Sequence, residues 1–174
     1  MAQALSRMML SFILGVGPCG PSSLMGSRDF KTMRIDSNSG NLLFGPESVG
    51  PALKEDEFLN SALAHSAAKV RQTALANWYE LWLTDSSGRD VGVVLAFVPH
   101  GQLIKARLNF VKPEVRAAGE WSTAVEDEMK SFHDNWLRGQ LGEPPYEFHW
   151  GRIWSAVDQH GYSAVIICQY KCDS

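Results

Sequence analysis

The sequence has no run of basic residues. Its 174 residues include 16 Lys and Arg against 19 Asp and Glu, so the formal net charge is -3. Proteins that bind nucleic acid use clustered Lys and Arg to neutralise phosphates. The charge balance therefore argues against direct nucleic-acid binding as the main function.

Cysteine is also scarce, with only Cys19, Cys168 and Cys172 in the chain. In an extended strand, which rises ~3.3 Å per residue, Cys168 and Cys172 lie ~13 Å apart, and a disulfide cannot bridge that distance. The pattern is not that of a small secreted domain held by disulfides. We expect a reducing compartment, which favours the cytoplasm.

The sequence lacks a hydrophobic run long enough to span a membrane, which needs ~20 apolar residues. Near its start, Arg7 is followed by the shorter apolar run MMLSFILGVG, which has the shape of a secretion signal but no A-x-A cleavage site. We expect residues 1–27 to be a poorly ordered or signal-like extension and residues 28–174 to form one folded domain. A periplasmic location is the alternative if residues 1–20 act as a signal.

The sequence also lacks a complete catalytic or metal-binding motif. Gly15 and Gly20 have the spacing of a phosphate loop, but Pro21 stands where that loop needs its lysine, so we reject a nucleotide site. No H-E-x-x-H, paired C-x-x-C or EF-hand loop occurs. We expect no metal and no other cofactor, and leave open a metal site assembled only by the fold.

Hydrophobic periodicity, in contrast, is clear from residue 29 onwards. It predicts a hairpin over 30–44, a helix over 53–66, a three-stranded meander over 77–111, a helix over 123–139 and a hairpin over 146–171. This order indicates an α+β fold. We expect a single domain with a largely antiparallel sheet that packs with two helices.

The predicted meander has one apolar face. Pairing Asp85 with Asp90 and Val98 with Leu103 puts ten residues on that face: Trp78, Trp82, Val91, Val93, Leu95, Phe97, Ile104, Ala106, Leu108 and Phe110. The opposite face carries Lys105, Arg107 and Asn109. We expect the apolar face to lie in the core and the opposite face to be wetter.

Glu80 is the exception on the predicted apolar face, where its neighbours are Trp78, Trp82 and Leu95. A carboxylate in such surroundings must be neutral, paired or catalytic. The structural interpretation places Glu80 at a sheet edge or beside an arginine. The functional one makes it the centre of a sheet-lined pocket, together with Arg107 or His149.

The C-terminal hairpin combines aromatic and basic residues. Pairing Val157 with Tyr162 puts Trp150, Arg152 and Trp154 on one strand face. Trp and Arg carry much of the binding energy at protein interfaces. This face is either exposed for a partner or covered by the helix over 123–139, with Arg152 extending to water.

Two acidic clusters mark the predicted helix starts. They are Glu55, Asp56 and Glu57 in the first helix and Glu126, Asp127 and Glu128 in the second, where Thr123 and Glu126 form a capping box. Negative charge is favourable at a helix N-terminus, so solvated helix starts explain both clusters. As an alternative, the same carboxylates offer a surface to a basic partner.

The stretch FHDNWLRGQLGEPPYEFHWGRIWSAVDQHGYSAVIICQY, residues 132–170, resembles the C-terminal part of small bacterial immunity proteins of polymorphic toxin systems. The likeness covers about the last third of the chain and depends mainly on Trp150, Gly151, Ile153 and Ser155. It implies a protein that is not an enzyme and that occludes the active site of a toxin, often a nuclease or another toxin that acts in the cytoplasm.

We therefore expect a stoichiometric protein-binding protein of immunity type, monomeric or homodimeric, whose partner is a cognate protein toxin. Its candidate contact residues are the Trp and Arg strand face and the two acidic clusters. The alternative is a small enzyme or ligand-binding domain with a pocket around Glu80. A third interpretation is a structural subunit of a larger assembly.

Overall fold

Strands outnumber helices in this fold. The structure, a computed structural model, describes residues 29–30, 33–85, 87–111, 122–158 and 163–171. Its strands are β1 (Asp29–Phe30), β2 (Met33–Ile35), β3 (Leu42–Phe44), β4 (Glu47–Val49), β5 (Ala67–Gln72), β6 (Asn77–Asp85), β7 (Asp90–Phe97), β8 (Leu103–Val111), β9 (Tyr146–Phe148), β10 (Gly151–Asp158) and β11 (Ser163–Tyr170). The helices are α1 (Glu55–Leu59) and α2 (Thr123–Leu141), with a 3-10 turn at Leu63–Ser66. The predicted extension over residues 1–27 lies outside the described residues.

An eight-stranded sheet forms the centre of the molecule. Its strand order is β1-β6-β7-β8-β11-β10-β9, and β5 also pairs with β6. The pairing of β1 with β6 is parallel, and the other pairings are antiparallel. The predicted α+β class with a largely antiparallel sheet is confirmed, because β8 pairs with β11 and joins the meander to the C-terminal hairpin.

The N-terminal half contains more, and shorter, secondary-structure elements than the sequence predicted. The hairpin over 30–44 is confirmed as β2 and β3, but β4 extends it to a three-stranded sheet. The helix over 53–66 splits into α1 and the 3-10 turn, because the Asn60 and Ser61 side chains donate hydrogen bonds to the carbonyls of Asp56 and Phe58 at the end of α1. The sequence missed β5, whose mostly exposed residues show no apolar alternation.

The first meander turn is one residue longer than predicted. Thr84, not Asp85, pairs with Asp90. The Oδ1 atom of Asp85 accepts hydrogen bonds from the backbone N–H groups of Ser87 at 2.8 Å and Arg89 at 2.9 Å, so Asp85 closes the loop. A slip of one residue moves every side chain of a strand to the other face. The predicted face of β6 is therefore wrong, and Tyr79, Leu81 and Leu83 point into the core in place of Trp78, Glu80 and Trp82.

We call the buried side of the eight-stranded sheet the inner face and its other side the outer face. The second meander turn keeps the predicted pairs Val93 with Leu108 and Leu95 with Ala106, but a bulge puts Leu103 opposite Phe97 instead of Ile104. The buried side chains of the inner face are Tyr79, Leu81, Leu83, Val91, Val93, Leu95, Phe97, Leu103, Ala106, Leu108, Phe110, Ile153, Ile166, Cys168 and Tyr170.

Both helices and the small sheet pack against the inner face. From α1, Phe58 has its ring centre 5.3 Å from those of Tyr79 and Phe97. From α2, Phe132 and Trp136 have ring centres 5.5 Å and 5.1 Å from that of Phe110. The small sheet adds Ile35, Leu42, Phe44 and Val49 to the same core cluster. The outer face is thus the side away from these elements.

The long helix α2 forms where the sequence predicts it. Its N-cap is Ser122, whose hydroxyl accepts from the backbone N–H of Val125, so the predicted capping role of Thr123 is wrong by one residue. Gly142, with φ of 82°, ends the helix, two residues beyond the predicted range of 123–139. Met129, His133 and Leu137 form its most buried stripe.

The C-terminal hairpin keeps the predicted faces with a shifted pairing. Val157 pairs with Ala164, two residues from the predicted partner Tyr162. A shift of two leaves each side chain on its own face, and Ile153 and Cys168 lie on the inner face. Residues 159–162 of the predicted turn lie outside the described residues.

Candidate functional site

The outer face of the sheet is built from rows of cross-strand partners. In the first, the Arg152 row, consecutive partners across five strands are Trp78, Ala96, Lys105, Gln169 and Arg152. In the second, the Trp154 row, they are Glu80, Val94, Arg107, Ile167 and Trp154. Directly opposed residues of antiparallel strands point to the same side. The two rows therefore lie on one side of the sheet, where Ala96 and Glu80 are buried, Arg152 is exposed and the other members are half-buried.

Arg152 and Trp154 lie together on this surface, as the sequence predicted. The guanidinium carbon of Arg152 is 4.6 Å from the centre of the Trp154 ring. Arg152 is exposed and Trp154 is half-buried. A cation–π contact of this kind orients the guanidinium while leaving its N–H donors available to a carboxylate.

A groove of about 590 Å³ opens beside these two residues. It lies between β10, the C-terminal half of α2 and the segment that leads into β9. In the groove, Asp134 accepts hydrogen bonds from Lys130, at 2.6 Å, and from the Ser155 hydroxyl. Burial raises the pKa of Asp134, but these hydrogen bonds outweigh burial and hold the pKa below its ordinary value. The groove wall is therefore charged at neutral pH.

Trp150 does not share the face of Arg152 and Trp154, so the prediction that the three lie side by side is wrong. It precedes β10 and is 6% exposed. Its indole stacks on Phe148, with ring centres 4.8 Å apart, and its Nε1 donates a hydrogen bond to the Ser37 carbonyl at 2.9 Å. The glycine that follows it, Gly151, has φ of 154°, a conformation that interrupts the alternation of the strand. Trp150 belongs to the core.

The predicted pocket around Glu80 is only partly assembled. Glu80 is 8% exposed and lies on the outer face opposite Val94, not beside Leu95. Arg107 stands two strands away in the same row, ~10 Å from it at the backbone. His149 lies in the exposed turn before β10, and four inter-strand steps, ~19 Å, separate β10 from β6. The structure brings Glu80 and Arg107 into one row and leaves His149 apart.

Glu55 is not the solvated residue that the sequence predicted. It is 2% exposed and accepts three hydrogen bonds, from Asn77 Nδ2 at 2.7 Å, the Tyr79 hydroxyl at 2.5 Å and the His100 backbone N–H at 2.7 Å. Burial raises its pKa, but the three donors outweigh burial and lower it overall. Burial and the bond to Glu55 in turn raise the pKa of Tyr79. Glu55 thus joins α1 to the sheet.

The remaining acidic residues stay at the surface. Asp56 and Glu57 are exposed, and Asp56 Oδ1 lies 3.7 Å from His100 Nδ1. Glu126 is half-buried, whereas Asp127 and Glu128 are exposed in the first turns of α2. Since both helices pack on the inner face, these carboxylates belong to the helical side of the molecule.

The sequence missed the extent of the outer surface because it placed Trp78 in the core. The alternation of Lys105, Arg107 and Asn109 with apolar residues in β8 already predicted that one face of this strand is more exposed to solvent. Only the pairing of β8 with β11 shows that this face continues to Arg152 and Trp154. That non-local pairing has no local signal in the sequence.

Burial raises the pKa of the Cys168 thiol to about 12, and Cys168 lies in the core. Within the described ranges, no three His, Cys, Asp or Glu side chains are grouped as metal ligands. No helix in that part of the chain is long and apolar enough to cross a bilayer.

Comparison with known proteins shows a similarity of fold to a solved structure. No protein-family model matches the chain, and no curated protein sequence matches it. Among solved structures, it is similar to a chain in the complex of Rhs1-CT with its cognate immunity protein RhsI1, with a TM-score of 0.54 and 15% identity, over 80% of this chain and 88% of that chain. At this identity the likeness concerns the fold alone.

Proposed function

We propose that this chain is a stoichiometric protein-binding protein of immunity type, which protects cytoplasmic targets by occluding the active site of a cognate toxin. The observation that carries the proposal is the likeness to a structure in which a toxin is bound to its immunity protein. The likeness extends over 80% of this chain and so includes most of its folded part. The resemblance of residues 132–170 to immunity proteins is a second line of support.

The surface of the molecule is compatible with this role. Arg152 and Trp154 are residue types that dominate the energetics of protein interfaces, and they lie next to a groove with charged walls. Trp150 and Glu55 are buried, so we remove them from the proposed contact set. The contact set that we retain is Arg152 and Trp154, with Asp56, Glu57 and the cluster at 126–128 as secondary candidates.

The experiment that tests the function is growth protection. The tagged chain is purified from its native cells, its stoichiometric partner is identified by mass spectrometry, and that partner is expressed alone and with the chain. We expect the partner to stop growth when expressed alone, and co-expression to restore growth through a complex of fixed stoichiometry.

A partner that is harmless when expressed alone contradicts the proposal, and so does growth arrest that the chain does not relieve. The folded variant Arg34→Glu serves as the control, because Arg34 is exposed on the small sheet and is not in the proposed contact set. It should protect as well as the native chain.

A further inference from the structure

The outer face carries positive charge although the chain as a whole is acidic. Four basic residues lie on the two rows or directly opposite their ends: Arg71, Lys105, Arg107 and Arg152. The acidic residues in the same positions are Glu80 and Glu147, so these six residues together carry a net charge of +2, and Asp90, which lies on the same side opposite Thr84 and Val111, lowers the positive charge of the face. The formal net charge of the chain is -3. The exposed carboxylates at 56–57 and 127–128, in contrast, lie on the helices.

The basic residues are set among tryptophans. Trp78 and Trp154 occupy the rows themselves, and Trp82 lies opposite Gly92, with its ring against that glycine. These are three of the six tryptophans in the chain. Large aromatic rings supply contact area at low cost in side-chain entropy, and a desolvated rim around a charge strengthens its pairing.

Two of the cations have no ion pair with another described residue. Arg152 is held over Trp154 by a cation–π contact, and its cross-strand neighbour Glu147 forms no ion pair with it. Lys105 stands between Ala96 and Gln169, which are both uncharged. A guanidinium already oriented by stacking loses little entropy when it binds a carboxylate.

The dimensions of the face fit a protein partner. The six strands from β6 to β9 extend over ~24 Å at a spacing of ~4.8 Å. This width is comparable with that of a standard interface, which buries about 800 Å² on each side. On this face Lys105 and Arg107 lie between Trp78 on β6 and Trp154 on β10, and Arg152 lies beside Trp154, an arrangement that is complementary to a surface rich in Asp and Glu.

We propose that the outer face, with Lys105, Arg152 and Trp154 as its main contacts, docks an acidic protein surface. This inference rests on the proposed function, since the acidic surface is assigned to the toxin. An acidic surface around the active site is consistent with a toxin that binds cations there. Nucleic acid is the less suitable occupant, because four cations offset by two carboxylates give little counterion release.

The test compares charge reversals on two faces. In Arg152→Glu and Lys105→Glu the charge changes on the outer face, and Arg34→Glu makes the same change on the small sheet. We expect each outer-face variant to weaken binding to the purified toxin by about 10-fold or more, mainly through slower association at low salt. Arg34→Glu should stay within about 2-fold, and circular dichroism should show all three folded.

Failure of the inference and failure of the function have different signatures. If the native chain neutralises the toxin and Arg152→Glu and Lys105→Glu do so equally well, the docking face is wrong and the immunity function stands. If Arg34→Glu weakens binding as much as Arg152→Glu, the effect is one of net charge and the docking face is again wrong. If no toxin is neutralised, the proposed function is wrong.

The face itself is then tested with a defined probe. The isotope-labelled chain is titrated at low salt with poly-L-glutamate, and the indole N–H signals of Trp78, Trp82 and Trp154 are followed by NMR. Shifts of these signals that Arg152→Glu abolishes support an acidic ligand on this face. Absence of these shifts, tighter binding of a single-stranded oligonucleotide to the same signals, or a self-associated dimer that Arg152→Glu dissociates overturns the proposal.

Discussion

The indole Nε1 of Trp150 donates a hydrogen bond to the carbonyl oxygen of Ser37, 2.9 Å away and 113 positions earlier in the chain. This bond joins the loop between β2 and β3 to the turn before β10. The same indole stacks on Phe148 and lies near Tyr170, whose hydroxyl donates to the carbonyl of Gly40. Trp150 therefore connects the small sheet with the large one.

Replacing either tryptophan of the C-terminal hairpin, Trp150 or Trp154, by alanine should lower the stability of the fold, but to different extents. Trp150→Ala removes a buried ring and a hydrogen bond, so we expect the free energy of unfolding to fall by about 3–5 kcal/mol, whereas Trp154→Ala should lower it by about 1 kcal/mol. Denaturant titration measures both. Because Trp150→Ala is severe enough to unfold a domain of ordinary stability, Trp150→Phe is the milder variant, with an expected loss of about 1–2 kcal/mol. Equal losses for Trp150→Ala and Trp154→Ala would contradict the burial difference.

Gly40 should be far less tolerant of a side chain than Gly88. Both have positive φ, 76° and 78°, so alanine is strained at either position by about 1 kcal/mol. A Cβ at Gly40 would lie 2.5 Å from the Trp150 ring, whereas no described atom lies within 4 Å of one at Gly88. We expect Gly40→Ala to lose about 2 kcal/mol more than Gly88→Ala in thermal or denaturant unfolding. A difference near zero would show that the Trp150 ring moves aside easily.

The sequence could predict the elements that depend on local periodicity. Helix α2 has a regular apolar stripe and a terminal glycine, and each of these signals acts over a few residues, although the N-cap is Ser122 and not the predicted Thr123. The meander strands and the C-terminal hairpin show similar regular patterns. In contrast, β5 becomes a strand through its pairing with β6, which no local pattern in AAKVRQ reveals.

The candidate site was harder to predict because it depends on turn geometry. The side chain of Asp85 closes a loop one residue longer than expected, and that single residue reverses which side of β6 is buried. Gly151 similarly turns Trp150 away from the alternation of β10. In both places one residue's backbone or side-chain geometry decides the face, and the hydrophobic pattern is compatible with either outcome.

Glu55→Gln should destabilise the protein far more than Asp56→Asn. The two oxygens of Glu55 accept from three donors, and a glutamine amide would direct its own N–H groups at one or more of them. We expect a loss of about 2–3 kcal/mol in the free energy of unfolding, since buried donors lose their acceptor. Asp56 is exposed in the same turn, so Asp56→Asn should change stability by only a few tenths of a kcal/mol. Similar losses for the two variants would contradict the buried hydrogen-bond network.

Stability should fall when the pH drops from 6.5 to 4, because of His133. This residue is 0% exposed, and its Nε2 accepts from the backbone N–H of Phe110 at 3.3 Å. Burial lowers its pKa to about 4, an effect that nearby Asp134 opposes and that Lys130 and Arg89 increase.

Between pH 4 and 6.5 the unfolded chain therefore binds a proton at His133 that the folded chain does not bind. The stability contributed by the neutral imidazole is complete above pH 6.5 and is lost as the pH falls towards 4. The shift corresponds to about 3 kcal/mol. Denaturant unfolding at several pH values should show this loss in the native chain and a nearly flat profile over the same window in His133→Gln, which keeps an acceptor for Phe110 without a titrating group. The carboxylates with lowered pKa values, Glu55 among them, lose their contribution to stability only below their ordinary pKa of about 4.5. They therefore do not change the stability over most of the range from pH 4 to 6.5. An equal pH dependence in His133→Gln would assign the loss to other groups.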